Sequence, residues 1–359
     1  MILISEPFIY STKLWDSSEM KNILIITGVL PPKVCGVGDY TKNLLDTEIG
    51  KLWSPYVAES WRFRKLSFIL KSIDQRKPDV IFMQYPAEGY GWSLVPHMLL
   101  IYYVFIKKIK FITVLHEYSS LSWKSRFFIR NILSKSSQLI FTTNFELNNL
   151  AKHVPGILSK ANVLPILSNI PNPKEIKQIS DRSIDILYFG HIRPNKGIED
   201  FLRVICSSKI VNKNLSIKLV GQIPKGYENY IKSLQAIYPQ VMNITTLNAD
   251  LDLVHTMLGE AKICFLPYPD GISERRGSFL AAIQHGSVVA SYVGTWTPSG
   301  LTSAFIPLER GHEAEKILYF LSNNELLTSQ QLNSISYHNE SGITNWNELS
   351  NAYLKISEL

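Results

Sequence analysis

The chain has 359 residues, of which 45% are hydrophobic and 19% are charged, and its formal net charge is +7. This composition can bury large cores, which excludes an intrinsically disordered protein, and the length predicts two domains. The three cysteines, Cys35, Cys206 and Cys264, are too few and too far apart for a disulfide framework or a zinc site, so we expect a reducing, cytoplasmic environment.

Two apolar stretches fall short of a targeting or membrane-spanning segment. Residues 1–7 have no basic region and Glu6 interrupts their apolar run, so we expect no signal peptide. Residues 94–105 are broken by Pro96 and His97, whereas a spanning helix needs about 20 consecutive apolar residues. The sequence predicts a cytoplasmic protein, at most peripheral at the inner face of the cytoplasmic membrane.

Short apolar runs alternate with longer helical patterns in the first half, which is typical of βα units around a parallel sheet. The predicted strands are residues 22–27, 80–84, 111–115 and 138–142. The predicted helices are residues 40–45, 61–73, 122–133 and 145–152. Three prolines then mark a linker over residues 165–175.

The same alternation restarts after the linker. The predicted strands are residues 185–189, 216–220, 244–246, 263–267 and 288–291. The predicted helices are residues 197–205, 228–238, 252–260, 278–285 and, at the C-terminus, 345–356. The sequence therefore predicts an α/β protein with two doubly wound domains in series and a cleft between them.

Ligands of such sheets bind where strands end, so the loops after the strands are the candidate binding segments. Gly36 and Gly38 follow the first strand and open a helix, where glycines let backbone N–H groups approach an anion, although an ordinary strand–helix turn is the more common reason for such glycines. After strand 185–189, Gly190 is followed by Arg193 and Lys196, and two cations in one short loop suit a diphosphate.

The loop after strand 263–267 is the richest in polar residues. Asp270, Glu274, Arg275 and Arg276 crowd one turn, which indicates a polar ligand or a network of salt bridges. Ser273 lies within the turn. Gly277 and Ser278 open the following helix, where their N–H groups can hold phosphate oxygens.

With these loops in place, the chain resembles, over nearly its whole length, the retaining GT-B glycosyltransferases of glycosyltransferase family 4. The motifs that carry the resemblance are Gly36-Val-Gly38-Asp39-Tyr40, Leu115-His116-Glu117, Val163-Leu-Pro-Ile-Leu-Ser-Asn169, Tyr188-Phe-Gly-His-Ile-Arg-Pro-Asn-Lys196-Gly197, the segment from Ser273 to Ser291, and a final Trp346, Leu349 and Tyr353 helix. The resemblance implies two Rossmann-like domains facing a central cleft. It divides the chain into residues 1–170, which bind the acceptor, residues 171–340, which bind the donor, and a C-terminal helix, residues 341–359, that crosses back to the first domain.

The resemblance also implies roles for single residues. Arg193 and Lys196 would hold the donor diphosphate with Gly190, Gly277 and Ser278, and Gly36 and Gly38 would line the cleft beside it. His116 would contact the donor sugar, while a satisfied histidine at a strand end is the plainer reading.

Two departures from the family pattern concern the donor site. His191 stands where many members have an arginine, and Arg193 replaces it two residues later. The family's two glutamates, eight residues apart, correspond to Ser273 and Ala281, so the usual ribose ligand is missing and Glu274 stands in for the first or pairs with a neighbouring arginine. Asp270 completes the nucleotide contacts that we expect.

The reaction implied is transfer of a sugar from a nucleoside-diphosphate sugar to an acceptor hydroxyl, with retention at the anomeric carbon. We expect no metal and no cofactor apart from this co-substrate, because placed cations and a helix N-terminus stabilise the leaving diphosphate. Two alternatives stay open. A catalytically silent GT-B homologue would act as a binding subunit, and a sugar-nucleotide epimerase would share the two-domain fold.

The charge excess is concentrated in the first half. Residues 51–135 carry a net charge of +9, whereas residues 171–359 carry −1, which indicates an anionic partner of the first domain or simply a solvated basic surface. On a predicted helix over residues 61–73, one face is apolar and the other is basic and aromatic. The apolar face has Phe63, Leu66, Ile69, Leu70 and Ile73, and the other has Trp61, Arg64, Lys65, Phe68 and Lys71.

This pattern suits anionic lipid headgroups, and an amphipathic helix packed on its sheet suits it equally. A second group of aromatic and basic residues strengthens the lipid interpretation: Tyr102, Tyr103, Lys107, Lys108 and Lys110. We therefore expect an anionic, polyprenyl-diphosphate-linked glycan acceptor of bacterial cell-surface synthesis, met at a membrane surface. No nucleic-acid-binding motif is present in the sequence, and we expect no nucleic acid partner.

Overall fold

The computed structural model describes residues 21–33 and 35–359. The N-terminal residues for which no signal peptide is expected lie outside this part of the chain. The described residues form two compact units. The first unit comprises the described residues up to Ile166 together with Ser341–Leu359, and the second comprises Leu167–Glu340.

Each unit has a six-stranded sheet among the described residues, and every strand pairing is parallel. The strands are β1 (Ile23–Ile26), β2 (Ser54–Tyr56), β3 (Val80–Tyr85), β4 (Lys110–Leu115), β5 (Gln138–Phe141), β6 (Ala161–Val163), β7 (Ile184–His191), β8 (Ile217–Gln222), β9 (Thr245–Leu247), β10 (Ala261–Phe265), β11 (Val288–Tyr292) and β12 (Ile306–Leu308). Buried apolar runs in β1, β3, β4 and β10 explain why these segments form the sheet interiors.

The helices flank the sheets, as the alternation of patterns predicts. They are α1 (Gly36–Leu45), α2 (Leu66–Asp74), α3 (Val95–Ile101), α4 (Trp123–Asn131), α5 (Asn144–Ala151), α6 (Ile198–Ile205), α7 (Ser208–Val211), α8 (Glu228–Ile237), α9 (Leu251–Glu260), α10 (Gly277–Gln284), α11 (Glu313–Leu321), α12 (Asn324–Asn339) and α13 (Trp346–Glu358). A π-helical segment, Tyr102–Ile106, continues α3. The predicted α/β class is confirmed.

Strand order decides where a ligand can bind on each sheet. The first sheet has the order β2-β1-β3-β4-β5-β6, and the second has β12-β11-β10-β7-β8-β9. The order reverses direction between β1 and β3 in the first sheet and between β7 and β10 in the second. Loops that leave the carboxyl ends of two such strands diverge and open a crevice, which is the usual ligand site of these folds.

The C-terminal helix α13 belongs to the first unit. The hydroxyls of Tyr353 on α13 and Tyr40 on α1 share a hydrogen bond of 3.0 Å, and the Tyr353 ring lies 5.1 Å from that of Phe82 on β3. The ring of Trp346 lies edge-on to Tyr40 at 5.2 Å. These buried aromatic contacts fix α13 on the first unit.

The predicted helix over residues 61–73 is wrong at its start. Residues Phe63–Lys65 form a 3₁₀ turn, and α2 begins only at Leu66. Because a 3₁₀ turn has three residues per turn, the face assigned at α-helical spacing fails there. Trp61 is buried and its indole N–H donates to the Gly28 carbonyl at 3.3 Å, whereas Phe63 is 69% exposed. Trp61, which was predicted on the exposed basic face, is therefore buried, and Phe63, which was predicted on the apolar face, is exposed.

Within residues 21–33 and 35–359, no helix combines the length and the apolarity that a membrane crossing demands.

Candidate functional site

Two loops of the second unit meet where the order of the second sheet reverses. The loop after β7 carries Arg193 and Lys196 and leads into α6, and the loop after β10 carries Asp270 and Arg276 and leads into α10. Because β7 and β10 are parallel neighbours, both loops leave the same edge of the sheet. The predicted phosphate-binding residues are therefore at the crevice of this sheet.

Glycines allow the two loops to pack closely. A Cβ atom on Gly190 would lie 3.0 Å from the Ser278 hydroxyl at the start of α10. Gly197 has a φ of +80°, and a Cβ atom there would overlap the carbonyl oxygen of Pro267. Both positions need glycine, since Gly190 also has a positive φ, of +153°, and at Gly197 the close approach to the Pro267 backbone is a second reason. Gly190 and Ser278 are thus close neighbours.

A buried tyrosine fixes the loop after β7. The Tyr188 hydroxyl donates to the backbone carbonyls of Lys196 at 3.1 Å and His191 at 3.3 Å. Burial raises the pKa of this hydroxyl well above its usual value, so it is a permanent donor. The neutral Tyr188 side chain therefore fixes the backbone of the loop that carries Arg193 and Lys196.

Three cations interact at this crevice, and we call Arg193, Lys196 and Arg276 the cation cluster. Burial, together with the charges of Arg276 and Arg193, lowers the pKa of the Lys196 ammonium to about 8, against a smaller opposing effect of Asp270. In the described part of the chain neither Arg193 nor Lys196 forms an ion pair. A half-buried cation beside two others is electrostatically unfavourable until an anion binds.

Arg276 is the member of the cluster that the site prediction left out. Its guanidinium donates to both carboxylate oxygens of Asp270 at 2.5 Å and lies 4.5 Å from the centre of the buried Tyr268 ring. A cation stacked on an aromatic face and paired on one side is held in place. Asp270 therefore positions the Arg276 guanidinium, because its carboxylate accepts the hydrogen bonds of that group.

The first turn of α10 adds amide groups to the cluster. Gly277 and Ser278 are its first two residues, and Arg276 at the N-cap supplies no side-chain acceptor for them. The first amides of a helix have no partner within the helix, and the helix dipole favours an anion there. The amides of Gly277 and Ser278 are therefore suited to phosphate oxygens beside the three cations.

Glu274 and Ser273 belong to the loop after β10. The Glu274 carboxylate accepts a hydrogen bond from the Tyr337 hydroxyl on α12 at 2.9 Å, and burial raises its pKa. Ser273 is buried, and its carbonyl accepts from the N–H of Arg276 at 3.1 Å. Ala281, which stands in the position of the family's second glutamate, is fully buried in α10.

His116 belongs to the first unit, at the end of β4. It is 6% exposed, its Nε2 is 2.7 Å from the Gln84 Oε1 atom, and its ring lies edge-on to that of Tyr40 at 4.8 Å. Since an amide oxygen only accepts, Nε2 carries the proton. His116 thus has a polar partner and an aromatic neighbour within its own unit.

Gly36 and Gly38 also belong to the first unit, at the start of α1. A Cβ atom on Gly38 would lie 2.9 Å from the Val29 carbonyl oxygen, so glycine lets α1 approach the loop after β1. Gly36 is exposed, with open space around it. The structure therefore gives Gly38 a packing role and leaves Gly36 accessible at the helix start.

Some residues of the predicted basic and aromatic surface bind other residues of the first unit instead of facing solvent. Tyr103 is fully buried and donates to Asp74 at 3.0 Å, and Lys107 forms an ion pair with Asp74 at 3.1 Å. Lys110 donates to the carbonyls of Ile356 and Ser357 on α13 at 3.0 and 3.1 Å. The prediction that Tyr103 is an exposed member of this surface is wrong, because it completes the packing of α3 on α2.

Tyr102 is half-buried and its hydroxyl donates to Asp74 at 3.3 Å, whereas aromatic and basic residues around the start of α2 are exposed. Phe63 and Phe68 are 69% and 64% exposed, and four cations are exposed near them in the sequence. Those cations are Arg62, Arg64, Lys65 and Lys71.

No group of three or more histidine, cysteine or acidic side chains that could hold a metal occurs in the described ranges. An Asp-x-Asp triplet, Asp250 to Asp252, is present in the sequence, and Asp250 caps α9 by accepting from the Leu253 N–H at 2.8 Å.

No protein-family model and no curated protein matches the chain. Solved structures do match it. A glycosyltransferase from Rickettsia africae ESF-5 has a TM-score of 0.68 at 14% identity, over 95% of this chain and 98% of that one. Alr3699/HepE of Anabaena, in complex with UDP, has a TM-score of 0.64 at 13% identity, over 94% and 100%. Sucrose-phosphate synthase from Thermosynechococcus elongatus has a TM-score of 0.64 at 14% identity, over 94% and 98%. The chain thus has the GT-B fold that the sequence predicts.

Proposed function

We propose that this chain is a glycosyltransferase that moves a sugar from a nucleoside diphosphate, in the first instance UDP, to an acceptor hydroxyl. The observation that carries the proposal is the cation cluster at the crevice of the second sheet, beside the first amides of α10. The UDP complex of the similarly folded HepE supports the choice of nucleotide.

The chemical need of this reaction is to stabilise the departing diphosphate. Its negative charge grows as the bond to the anomeric carbon breaks, so groups placed around it bind the transition state more tightly than the donor. Arg193 and Lys196 supply charge, and the amides of Gly277 and Ser278 supply oriented dipoles. Transfer with retention, which the resemblance to family 4 implies, is part of the proposal.

We further propose that the acceptor is an anionic, lipid-linked glycan precursor of the bacterial cell surface, reached at the cytoplasmic face of the membrane. Exposed Phe63 and Phe68 among exposed cations support this part, since apolar side chains and positive charge together bind anionic bilayers. Co-sedimentation with anionic liposomes at low salt, weakened at high salt, is the expected result. Equal recovery with neutral and anionic liposomes, or no binding to either, contradicts it.

The donor site is tested by a thermal-shift screen with UDP, GDP and dTDP and their sugars. We expect UDP to raise the melting temperature of the wild type and of Lys213→Ala, and to have little effect on Lys196→Ala. Lys213 is an exposed lysine of the same unit that precedes β8 and so lies at the opposite edge of the sheet, which makes it a matched control. Stabilisation of Lys196→Ala equal to that of the control places the diphosphate elsewhere.

A catalytically silent homologue is the second candidate, and the burial of Ala281 favours it. This position offers no carboxylate to the ribose hydroxyls, so nucleotide binding without turnover is one consistent outcome. Release of UDP from UDP-glucose or UDP-N-acetylglucosamine separates the two functions. Turnover that Arg193→Ala abolishes supports the enzyme, and tight UDP binding with no turnover of any donor supports the silent binding subunit.

A further inference from the structure

The first unit contains a cavity of about 740 Å³, which we call the first-unit cavity. It opens at the carboxyl ends of β1, β2 and β3, where the order of the first sheet reverses. Its volume is within the range of small-molecule sites. Residues of three loops and of α3 line it, among them Lys33, Trp61, Arg62, Tyr90, Leu94 and Met98.

The floor of the first-unit cavity is aromatic and rigid. Trp61 and Tyr90 are buried and stand edge to face at 4.7 Å. The Ser93 hydroxyl donates to the Trp61 carbonyl, and the Trp61 indole donates to Gly28. Side chains tied down in this way form a preorganised apolar wall.

The mouth of the cavity combines exposed aromatic rings with positive charge. Trp92 is 82% exposed and Phe63 is 69% exposed. Lys33 and Arg62 are exposed cations, against the single carboxylate of Glu59, and neither cation forms an ion pair among the described residues. A net positive mouth above an apolar floor favours a ligand with an anionic group at one end.

An apolar stripe leads out of the cavity along α3. It consists of Leu94, Met98, Ile101 and Phe105, which are three or four residues apart and so share one face of the helix and its π-helical continuation. Leu94 and Met98 line the cavity. Ile101 and Phe105 lie farther along and are 41% and 51% exposed. Exposed apolar side chains in one row are suited to a hydrocarbon chain.

We propose that the first-unit cavity binds a prenyl phosphate, with the phosphate group against Lys33 and Arg62 and the hydrocarbon chain along the apolar stripe. The inference rests on the proposed function, because it names the lipid carrier of the acceptor and the residues that hold it. It follows from the charge at the mouth and from the continuity of the stripe with the cavity wall.

The proposal is tested with the full chain by titrating farnesyl phosphate below its micelle concentration. Inorganic phosphate and farnesol serve as the head-only and chain-only probes. We expect farnesyl phosphate to bind at least about tenfold more tightly than either probe. Arg62→Gln should weaken its binding about tenfold, whereas Arg64→Gln, an exposed arginine outside the cavity lining, should not.

The stripe has its own matched pair of variants. Ile101→Ser should weaken farnesyl phosphate binding, and Phe127→Ser, which removes a 55% exposed apolar side chain from α4 outside the stripe, should leave it unchanged. Equal effects within either pair, or farnesol binding as tightly as farnesyl phosphate, overturn the proposal. UDP titrated against the same variants separates the two claims: farnesyl phosphate binding in a chain that fails to bind UDP sinks the proposed donor site and leaves the cavity assignment standing.

Discussion

Arginine and lysine side chains of the second unit divide into paired and unpaired cations. Arg203 donates to Glu313 at 2.6 Å and to Asp200 at 3.0 Å, and this pairing raises its pKa above the usual value. Such cations connect α6 to α11 and are structural. Arg193 and Lys196 have no such partner within the described residues, so their charge is left for a ligand.

The lowered pKa of Lys196 predicts how UDP affinity depends on pH. With a pKa of about 8 the free protein carries a charged Lys196 at pH 7 and a mostly neutral one at pH 9. UDP favours the charged form, so binding must take up a proton above pH 8, and affinity should fall about tenfold between pH 7 and pH 9. Calorimetric titrations at both pH values measure this change.

Lys196→Arg is the control for that experiment, because its guanidinium stays charged throughout the range. We expect the variant to bind UDP with nearly the same affinity at pH 7 and pH 9. A fall of affinity in Lys196→Arg that matches the wild type would assign the pH dependence to another group.

At the residue scale, the sequence predicts those site residues that follow strands directly. Arg193, Lys196, Gly277 and Ser278 follow β7 or open the helix after β10, and parallel strands bring such segments to one edge. The role of Arg276 is different, because it depends on the ring of Tyr268 beneath it. The first-unit cavity was not predicted, since its lining comes from three loops and α3, whose residues carry no motif.

At the element scale, two edge strands that contain a proline were not predicted. β2 and β12 each have three residues, and each includes a proline, Pro55 and Pro307. Proline lacks the N–H that a central strand needs, but one side of an edge strand has no neighbour, so proline is tolerated there. A strand of three residues with a proline reads as a turn, whereas β3 and β4 are recognised by their buried apolar runs.

Helix α12 was also not predicted, because part of its buried face is polar. The Gln331 amide donates to the carbonyls of Gly286 at 2.8 Å and Lys177 at 3.0 Å, and the Ser334 hydroxyl donates to that of Ala304 at 2.8 Å. A helix that docks through hydrogen bonds to loop carbonyls lacks the apolar period on which helix prediction depends.

Helix α13 should contribute strongly to the stability of the first unit. Tyr353 is fully buried against Tyr40 and Phe82, so Tyr353→Ala should lower the free energy of unfolding by about 3–5 kcal/mol. Tyr353→Phe removes only the hydrogen bond and should cost about 1–2 kcal/mol. Urea unfolding followed by tryptophan fluorescence measures both.

The matched control on the same helix is Asn351→Ala, whose side chain is exposed. We expect it to change the free energy of unfolding by less than about 0.5 kcal/mol. An Asn351→Ala variant as unstable as Tyr353→Ala would mean that helix formation, and not the docking of Tyr353, is what the measurement reports.

At the scale of the whole molecule, each unit contains a buried histidine that is neutral when folded. Burial lowers the pKa of His97 in the first unit and of His285 in the second to about 4. His97 lies between the rings of Tyr85 and Phe128, and neither of its ring nitrogens has a hydrogen-bond partner among the described residues. Both units should therefore lose stability in mild acid.

His97→Leu tests this expectation in the first unit. An unfolded histidine takes up a proton near pH 6.5, but folded His97 does so only near pH 4, so its contribution to stability is lost as the pH falls between these values. Between pH 7 and pH 5 the wild type should lose about 2 kcal/mol that the variant keeps.

Tryptophan fluorescence mainly reports the unfolding of the first unit, because all described tryptophans except Trp296 belong to that unit. Urea unfolding at the two pH values gives the loss directly. A variant whose unfolding free energy falls as steeply with acid as that of the wild type shows that His97 is not the group responsible.

The central claim is that a nucleoside diphosphate binds the cation cluster of the second unit. Calorimetric titration of UDP into the wild type, Arg193→Ala, Lys196→Ala and Lys213→Ala tests it most directly. We predict that each cluster variant loses at least about tenfold in affinity, because each removes a charge-assisted hydrogen bond, while Lys213→Ala binds like the wild type. Wild-type affinity in both Arg193→Ala and Lys196→Ala would contradict the claim.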